Sequence, residues 1–253
     1  MKIGVAGGTG TVGKHVTELV REYGHEPVVL VRSTGFDLMS GDGLASALEG
    51  IDGVVDVVST PTLSAKSSRK FFGTTTAALL RAEVDAGVRH HVALSVVNAP
   101  TVAAGYYAGK ALQEERVKKG RVPWSLLRAT QFHEFAGQTL ARSTKGVLAL
   151  VPVMRTQPVA AREVADRLVR LVLDRPRGLV PDLAGPGEEA LVDMVRAYAR
   201  ATRSRARIIQ VRLPGAMGAA MRDGGLLPGR GAERGTQTYR DWLELEVRGR
   251  AAR

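Results

Sequence analysis

Residues 2–13 read Lys2-Ile3-Gly4-Val5-Ala6-Gly7-Gly8-Thr9-Gly10-Thr11-Val12-Gly13. A short, mostly apolar run, the length of one buried strand, passes straight into a turn built on glycine. An amphipathic segment follows, with Val12, Val16, Leu19 and Val20 on one face at helical spacing. The glycines at 7, 10 and 13 have separate tasks in such a strand–turn–helix unit. Gly7 permits the tight turn, Gly10 lets a pyrophosphate approach the backbone, and Gly13 lets the helix pack closely on the strand. The N–H groups of the first helical turn then face the anion. Thr9, Thr11 and Val12 complete the loop and are expected beside the same group. No Gly-Lys-Ser/Thr follows, which excludes a Walker-type phosphate loop.

Outward from this unit the chain alternates between strand and helix signals. Strands are expected at 27–31, 53–58, 88–97 and 124–128, and helices at 11–22, 44–48, 69–86 and 106–119. Gly87 stands where the third helix should stop, and Gly120 with Pro123 closes the fourth. The third strand is apolar throughout except for Asp56. This repetition predicts an α/β fold, a Rossmann-type doubly wound parallel sheet with helices on both faces. Beyond residue 130 the pattern loosens: strands at 146–153 and 208–213, helices at 162–174, 188–201 and 236–247, and a Gly/Pro-rich loop or lid at 214–235. The expected organisation is a dinucleotide-binding core over 1–135 and a small C-terminal substrate lobe over 136–253, interwoven with it. Such sheets bind ligands at the carboxyl ends of their strands.

Composition narrows the chemistry. Among 253 residues there is no cysteine, so disulfides, thiolate metal sites and cysteine nucleophiles are excluded. No apolar run is long enough to span a membrane, and with no leader before the glycine loop a cytoplasmic protein is expected. The net charge is +11, and all 19 basic residues from 151 onward are arginine. With 5% aromatic residues and no recognition-helix or zinc-finger pattern, nucleic-acid binding is disfavoured. The excess reads as a solvated surface that attracts anionic small ligands. His90-His91 reads as a solvated strand entry. His133-Glu134 lacks the second histidine of a zinc-protease helix, though His133 could face a substrate pocket. Ser95 has no nucleophile-elbow glycines around it. Trp124 is expected in the core, and Trp242 is expected to dock the last helix.

Arg32 stands nineteen residues beyond Gly13, at the end of the second strand. An acid there would bind the ribose 2′-hydroxyl of NAD, whereas an arginine suits the 2′-phosphate of NADP. Ser33 and Thr34 can add hydroxyl contacts. Together the Gly7/Gly10/Gly13 loop, Arg32 and Tyr106-Tyr107-Ala108-Gly109-Lys110 resemble the atypical short-chain dehydrogenase/reductases, and among them the NmrA-like NAD(P)-binding proteins. The stretch from Trp124 to Phe132 and residues 159–165 fit as well. The resemblance covers residues 1–215. It implies that Asp37 and Leu38 sit beside the adenine, that Ser59 and Thr60 pass the cofactor, and that Lys110 holds the nicotinamide ribose.

In that family a tyrosine gives or takes the proton on the carbonyl oxygen, a neighbouring lysine favours its phenolate, and a serine on the preceding strand orients the substrate. Tyr106 and Lys110, at i and i+4, share a helix face; Ser95 is the matching serine, and Tyr107 is a rival proton donor. The implied function is an NADPH-dependent oxidoreductase acting on a small carbonyl or quinone-like substrate, as a monomer or homodimer. The second reading is a non-catalytic NADP(H)-binding redox sensor of the NmrA type. Arg32→Ala should weaken NADPH by roughly one to two decades in Kd, as expected for about 1.5–3 kcal/mol of lost charge-assisted contact. The loss should be much smaller for NADH; equal losses in a binding titration would remove the 2′-phosphate role.

Overall fold

The computed structural model describes residues 1–30 and 35–251. Arg32 and Ser33, expected at the adenine ribose, lie outside the described residues, as does Thr34. In chain order the elements are β1 (Lys2–Ala6), α1 (Gly13–Glu22), β2 (Glu26–Leu30), α2 (Leu44–Ala47), β3 (Gly53–Asp56), α3 (Ala65–Ala86), β4 (His90–Val96), α4 (Ala99–Val102), α5 (Gly105–Lys119) and β5 (Trp124–Ala129). There follow α6 (Phe135–Ser143), β6 (Thr144–Lys145), β7 (Leu148–Pro152), β8 (Arg155–Thr156), α7 (Ala161–Leu173), β9 (Gly178–Leu179) and β10 (Leu183–Ala184). The chain ends with β11 (Glu189–Ala190), α8 (Leu191–Ala201), β12 (Arg207–Val211), α9 (Gly215–Arg222), β13 (Glu233–Arg234) and α10 (Tyr239–Ala251).

The chain forms two compact units. The first comprises residues 1–128 and 162–181, the second residues 129–161 and 182–253. In the first, the strand order is β2-β1-β3-β4-β5, the doubly wound Rossmann order, with β9 beside β5. β1 runs parallel to both neighbours, Val5 standing opposite Val29 of β2 and Val55 of β3. Its apolar run is read out as burial on both faces: Ile3, Val5, Val54, Val55, Val92 and Leu126 are fully enclosed. One side of the sheet gathers Leu30, Leu44, Leu48, Ile51 and Leu79 into a core cluster, with Phe36 and Leu38 packed on it. Trp124 packs half-buried against Ala93, Val117 and Leu126.

The ends of α3 follow the expected chemistry. Ser64 caps α3 by accepting the Ser67 N–H at 3.3 Å, and Gly87 terminates that helix at φ 71°, a conformation open to glycine without steric cost. The helix begins four residues earlier than residue 69, because Ser64 rather than the first periodic apolar residue sets its start.

The second unit holds the small sheets. Ala129, the last residue of β5, is opposite Leu183 of β10, and β10 pairs with β13. β12 runs parallel to β7, which pairs antiparallel with β6, while β8 and β11 form an antiparallel pair. The 214–235 stretch is not one irregular loop. It contains α9 and β13, and the turn into α9 is held by the Arg222 guanidinium donating to the Leu213 carbonyl at 2.7 Å. Helix α6 was not signalled by the sequence pattern. Trp242 docks α10 as expected, its ring 5.6 Å from Tyr239 and 6.4 Å from Tyr198.

The two histidines at the start of β4 are not solvated. The β4 backbone runs through the interior of the sheet, so both side chains are enclosed. His90 bonds the Ser125 hydroxyl at 2.9 Å, and His91 Nδ1 lies 2.8 Å from the Glu83 carboxylate of α3. Burial pushes the Glu83 carboxyl up; Glu83 holds the His91 imidazole above its ordinary value against the burial that would lower it. Removing one partner strands the other in a dry core, at a cost of about 3–5 kcal/mol. Glu83→Ala should therefore lower the guanidinium unfolding midpoint by a corresponding amount, and an unchanged midpoint would show the pair to be dispensable.

Candidate functional site

The glycine turn is shaped by close approach. Gly7 sits at φ +83°, and a Cβ there would stand 3.0 Å from the Val57 carbonyl oxygen. The Gly10 N–H donates to the Gly7 carbonyl at 3.0 Å and closes the turn. A Cβ at Gly13 would lie 2.1 Å from that same carbonyl oxygen and 2.7 Å from the Gly8 Cα, so α1 can descend onto the turn only as glycine. Gly10 is different. It is exposed, and among the described residues a Cβ there would meet only the Gly7 oxygen, at 3.3 Å. Thr9 is exposed beside it and Thr11 half-exposed, while Val12 is buried. Helix α1 has no side-chain cap at Val12 and no acid in its first turn, which leaves its positive end open to an anion.

At the end of β3 the chain enters the segment that carries Ser59 and Thr60. The Ser59 Oγ and the Tyr106 Oη are 3.1 Å apart and hydrogen-bonded. Tyr106 is placed by the packing of α5 on α3. The Ser68 hydroxyl donates to the Tyr106 carbonyl at 2.8 Å, the Phe72 ring meets the Tyr106 ring edge-on at 5.5 Å, and a Cβ at Gly109 would collide with Ser68 Oγ at 2.2 Å. Gly109 is thus the residue that lets the two helices close. Burial raises the Tyr106 phenol to about 12, against the opposing Ser59 hydrogen bond, so it stands protonated at neutral pH. Tyr107 is buried, its ring 6.4 Å from that of Tyr106.

Lys110 lies one turn further along α5 and is almost wholly enclosed. Its ammonium donates to the Leu94 carbonyl at 2.6 Å and to Gln113 Oε1 at 2.5 Å, and the Phe72 ring centroid is 4.6 Å away. Burial pulls it down to about 8, with Asp56 and Glu114 opposing the fall. Ser95, at the end of β4, is also buried, but its hydroxyl donates to Glu114 at 2.8 Å. Burial would raise Glu114; hydrogen bonds from Arg128 and Ser95 instead hold it below the ordinary carboxylate range. The structure therefore joins Ser59 to Tyr106 and gives Lys110 and Ser95 separate partners. Asp37 accepts the Met39 N–H at 2.8 Å within its own turn, and Leu38 packs on the core cluster.

The residues missed from the sequence are Asp56, Gln113 and Glu114, which hold Lys110 and Ser95 from behind. Asp56 did carry a signal, as the one acid in an otherwise apolar strand. His133, considered for a pocket, is buried in the second unit. Its Nε2 donates to the Gln237 carbonyl at 3.1 Å, and its ring packs 5.7 Å from Tyr239 and 5.8 Å from Trp242. Among the described residues no cluster of three or more His, Asp or Glu could hold a metal ion, and no helix is long and apolar enough to cross a membrane.

The strand order with a glycine turn after β1 defines a doubly wound Rossmann-type fold. Solved structures agree. An NAD-dependent NDP-hexosamine 5,6-dehydratase involved in tunicamycin biosynthesis is similar with a TM-score of 0.74 at 15% identity, over 100% of this chain and 98% of that one. A nucleoside-diphosphate-sugar epimerase from Staphylococcus aureus gives 0.71 at 13%, over 96% and 100%. A short-chain dehydrogenase/reductase superfamily protein from Agrobacterium tumefaciens, solved with bound NAD, gives 0.67 at 18%, over 100% and 98%. At these identities the likeness is one of fold. No family model matches the sequence, and no curated protein matches it.

The contrast between Gly10 and Gly13 yields a test. Gly13→Ala must push the helix off the turn and should destabilise the whole protein. If the turn cradles a pyrophosphate, Gly10→Ala should fold with a Tm close to the parent's and lose dinucleotide binding, because among the described residues only the Gly7 oxygen comes near that space. Parental NADPH affinity in Gly10→Ala, measured by calorimetric titration, would exclude the turn as a pyrophosphate cradle.

Proposed function

We propose that the chain is an NADPH-dependent oxidoreductase of the short-chain dehydrogenase/reductase kind, NmrA-like in its subgroup, acting on a small carbonyl or quinone-like substrate. The carrying observation is the placement of Tyr106 and Lys110 on one helix, within a unit whose first turn has space at Gly10 that, among the described residues, only the Gly7 oxygen approaches. Gly7, Thr9, Gly10, Thr11, Val12 and Gly13 would cradle the pyrophosphate. Arg32 and Ser33 would take the 2′-phosphate, Asp37 and Leu38 would flank the adenine, and Ser59 and Thr60 would line the path toward the nicotinamide.

When bound, the nicotinamide supplies the hydride. The chain's own part is proton delivery and orientation. Lys110 spends two of its three N–H donors on Leu94 and Gln113, and the third would serve a ribose hydroxyl. Tyr106 is a phenol at neutral pH and gives its proton to the substrate oxygen, with Ser59 taking part in the same hydrogen-bonded pair. Ser95 would turn its hydroxyl to the substrate only by leaving Glu114. That bond favours a second reading, a non-catalytic NADP(H)-binding sensor, in which Ser95 is structural.

NADPH oxidation against a panel of carbonyls, quinones and nucleotide sugars separates the two. On a substrate so found, Tyr106→Phe should cut turnover by roughly 10²–10⁴-fold, the worth of one general acid, while leaving NADPH affinity near the parental value. Full turnover in Tyr106→Phe would move the proton role to Tyr107 or water. NADPH binding with no oxidation across the panel would support the sensor.

A further inference from the structure

The Lys110 ammonium is an expensive group to enclose. An ion taken out of water needs a compensating charge and full use of its donors. Three elements supply what surrounds it: β4 the Leu94 carbonyl, α3 the Phe72 ring, and α5 the Gln113 amide. None of these carries a charge. The carboxylates whose charge acts on it are Asp56, at the end of β3, and Glu114, on α5. Glu114 is committed elsewhere: its oxygens accept from Arg128 at 2.8 and 2.6 Å, from Lys118 at 3.1 Å and from Ser95 at 2.8 Å. Its charge is thereby shared with two other cations.

Asp56 faces Lys110 through one intervening group. Gln113 Nε2 donates to Asp56 Oδ2 at 2.7 Å while Gln113 Oε1 accepts from Lys110, and the other Asp56 oxygen accepts the Val58 N–H at 3.0 Å. The direction of the Gln113 amide is forced. An ammonium has no acceptor and a carboxylate no donor, so the oxygen must point to Lys110 and the nitrogen to Asp56. Turned over, the amide would set NH₂ against NH₃⁺ and oxygen against carboxylate. All four groups are buried, so the interaction is weakly screened by water.

We propose that Asp56 and Gln113 are positioning residues for Lys110, the Asp56 carboxylate acting through the oriented Gln113 amide to keep the buried ammonium charged and aimed at the carboxyl end of β4. The relay rests on the reading that Lys110 meets a dinucleotide ribose, and it adds a control to that site: the charge state of Lys110 is set from the end of β3. The groups that bear on this titration are Asp56 and, beyond it, the Glu83–His91 pair on α3 and β4, with Glu114 and Tyr106 on α5. Loss of the proton as pH rises removes the cation. Dinucleotide affinity should therefore fall above pH about 8 in the parent.

The test reads Lys110 directly, in the free full-length protein, by NMR titration of ε-¹³C-labelled lysine with the resonance assigned by its loss in Lys110→Met. Asp56→Asn should move the titration midpoint down by about one pH unit or more. Gln113→Glu, which brings a negative charge beside the ammonium, should move it up. Opposite signs are the signature of a charge relay, since a merely structural disturbance opens the site and shifts both variants the same way. Shifts of the same sign, or a midpoint unmoved in Asp56→Asn, would overturn the proposal. If Asp56→Asn does not fold, Gln113→Met decides: loss of the oriented amide should lower the midpoint, whereas a merely structural opening of the site would raise it, and an unmoved or raised midpoint removes the relay. NADPH titrations of the same proteins across pH 6–9 judge the underlying reading separately. A relay seen by NMR without NADPH binding would sink the dinucleotide role and leave the relay standing.

Discussion

The Gly7 carbonyl oxygen sits where a side chain at position 13 would begin, 2.1 Å from the place of its Cβ. That single exclusion lets α1 come down onto the end of β1. With α1 in place, Val16, Leu19 and Val20 seal one face of the strand. The same turn receives the Gly10 N–H and leaves the first turn of α1 without a side-chain cap, so close packing and an open positive helix end arise from one steric fact. A larger residue at 13 would separate strand from helix, and with them the sheet edge at which the candidate residues gather.

A second constraint governs the other half of the site. The approach of α5 to α3 at Gly109 buries Lys110 under Phe72 and brings Tyr106 within reach of Ser59. Burial acts on the two groups in opposite senses. It disfavours the charged form of each, raising the phenol and lowering the ammonium, and only nearby acceptors keep the latter a cation. Much of the polar interior of this unit answers that demand. Asp56 and Gln113 serve Lys110, while Arg128, Lys118 and Ser95 serve Glu114 on the same helix.

Periodicity carried the main elements because strands buried on both faces and amphipathic helices leave marks that survive without neighbours. Where the reading failed, the cause was tertiary. His90 and His91 look like a polar strand entry until Ser125 and Glu83 arrive from distant segments to satisfy them. The 214–235 stretch looks irregular because Gly and Pro disrupt any period, yet Gly218 packs where a Cβ would be 1.9 Å from the Leu213 carbonyl, and a short helix forms around that contact. Ser95 stands at a strand end, and nothing local announces that Glu114, nineteen residues on, accepts from its hydroxyl.

Local sequence is enough for the glycine turn, for the strand–helix alternation of a doubly wound parallel sheet, and for the i, i+4 placement of Tyr106 and Lys110 on α5, because each depends on residues within a helical turn or a strand of one another. The tertiary structure alone decided which groups face those residues. The Ser59–Tyr106 bond spans 47 positions and the Gln113–Asp56 bond 57. Pairings of that span are set by sheet order and helix packing, and a buried charge takes whichever partner the fold brings within hydrogen-bond distance.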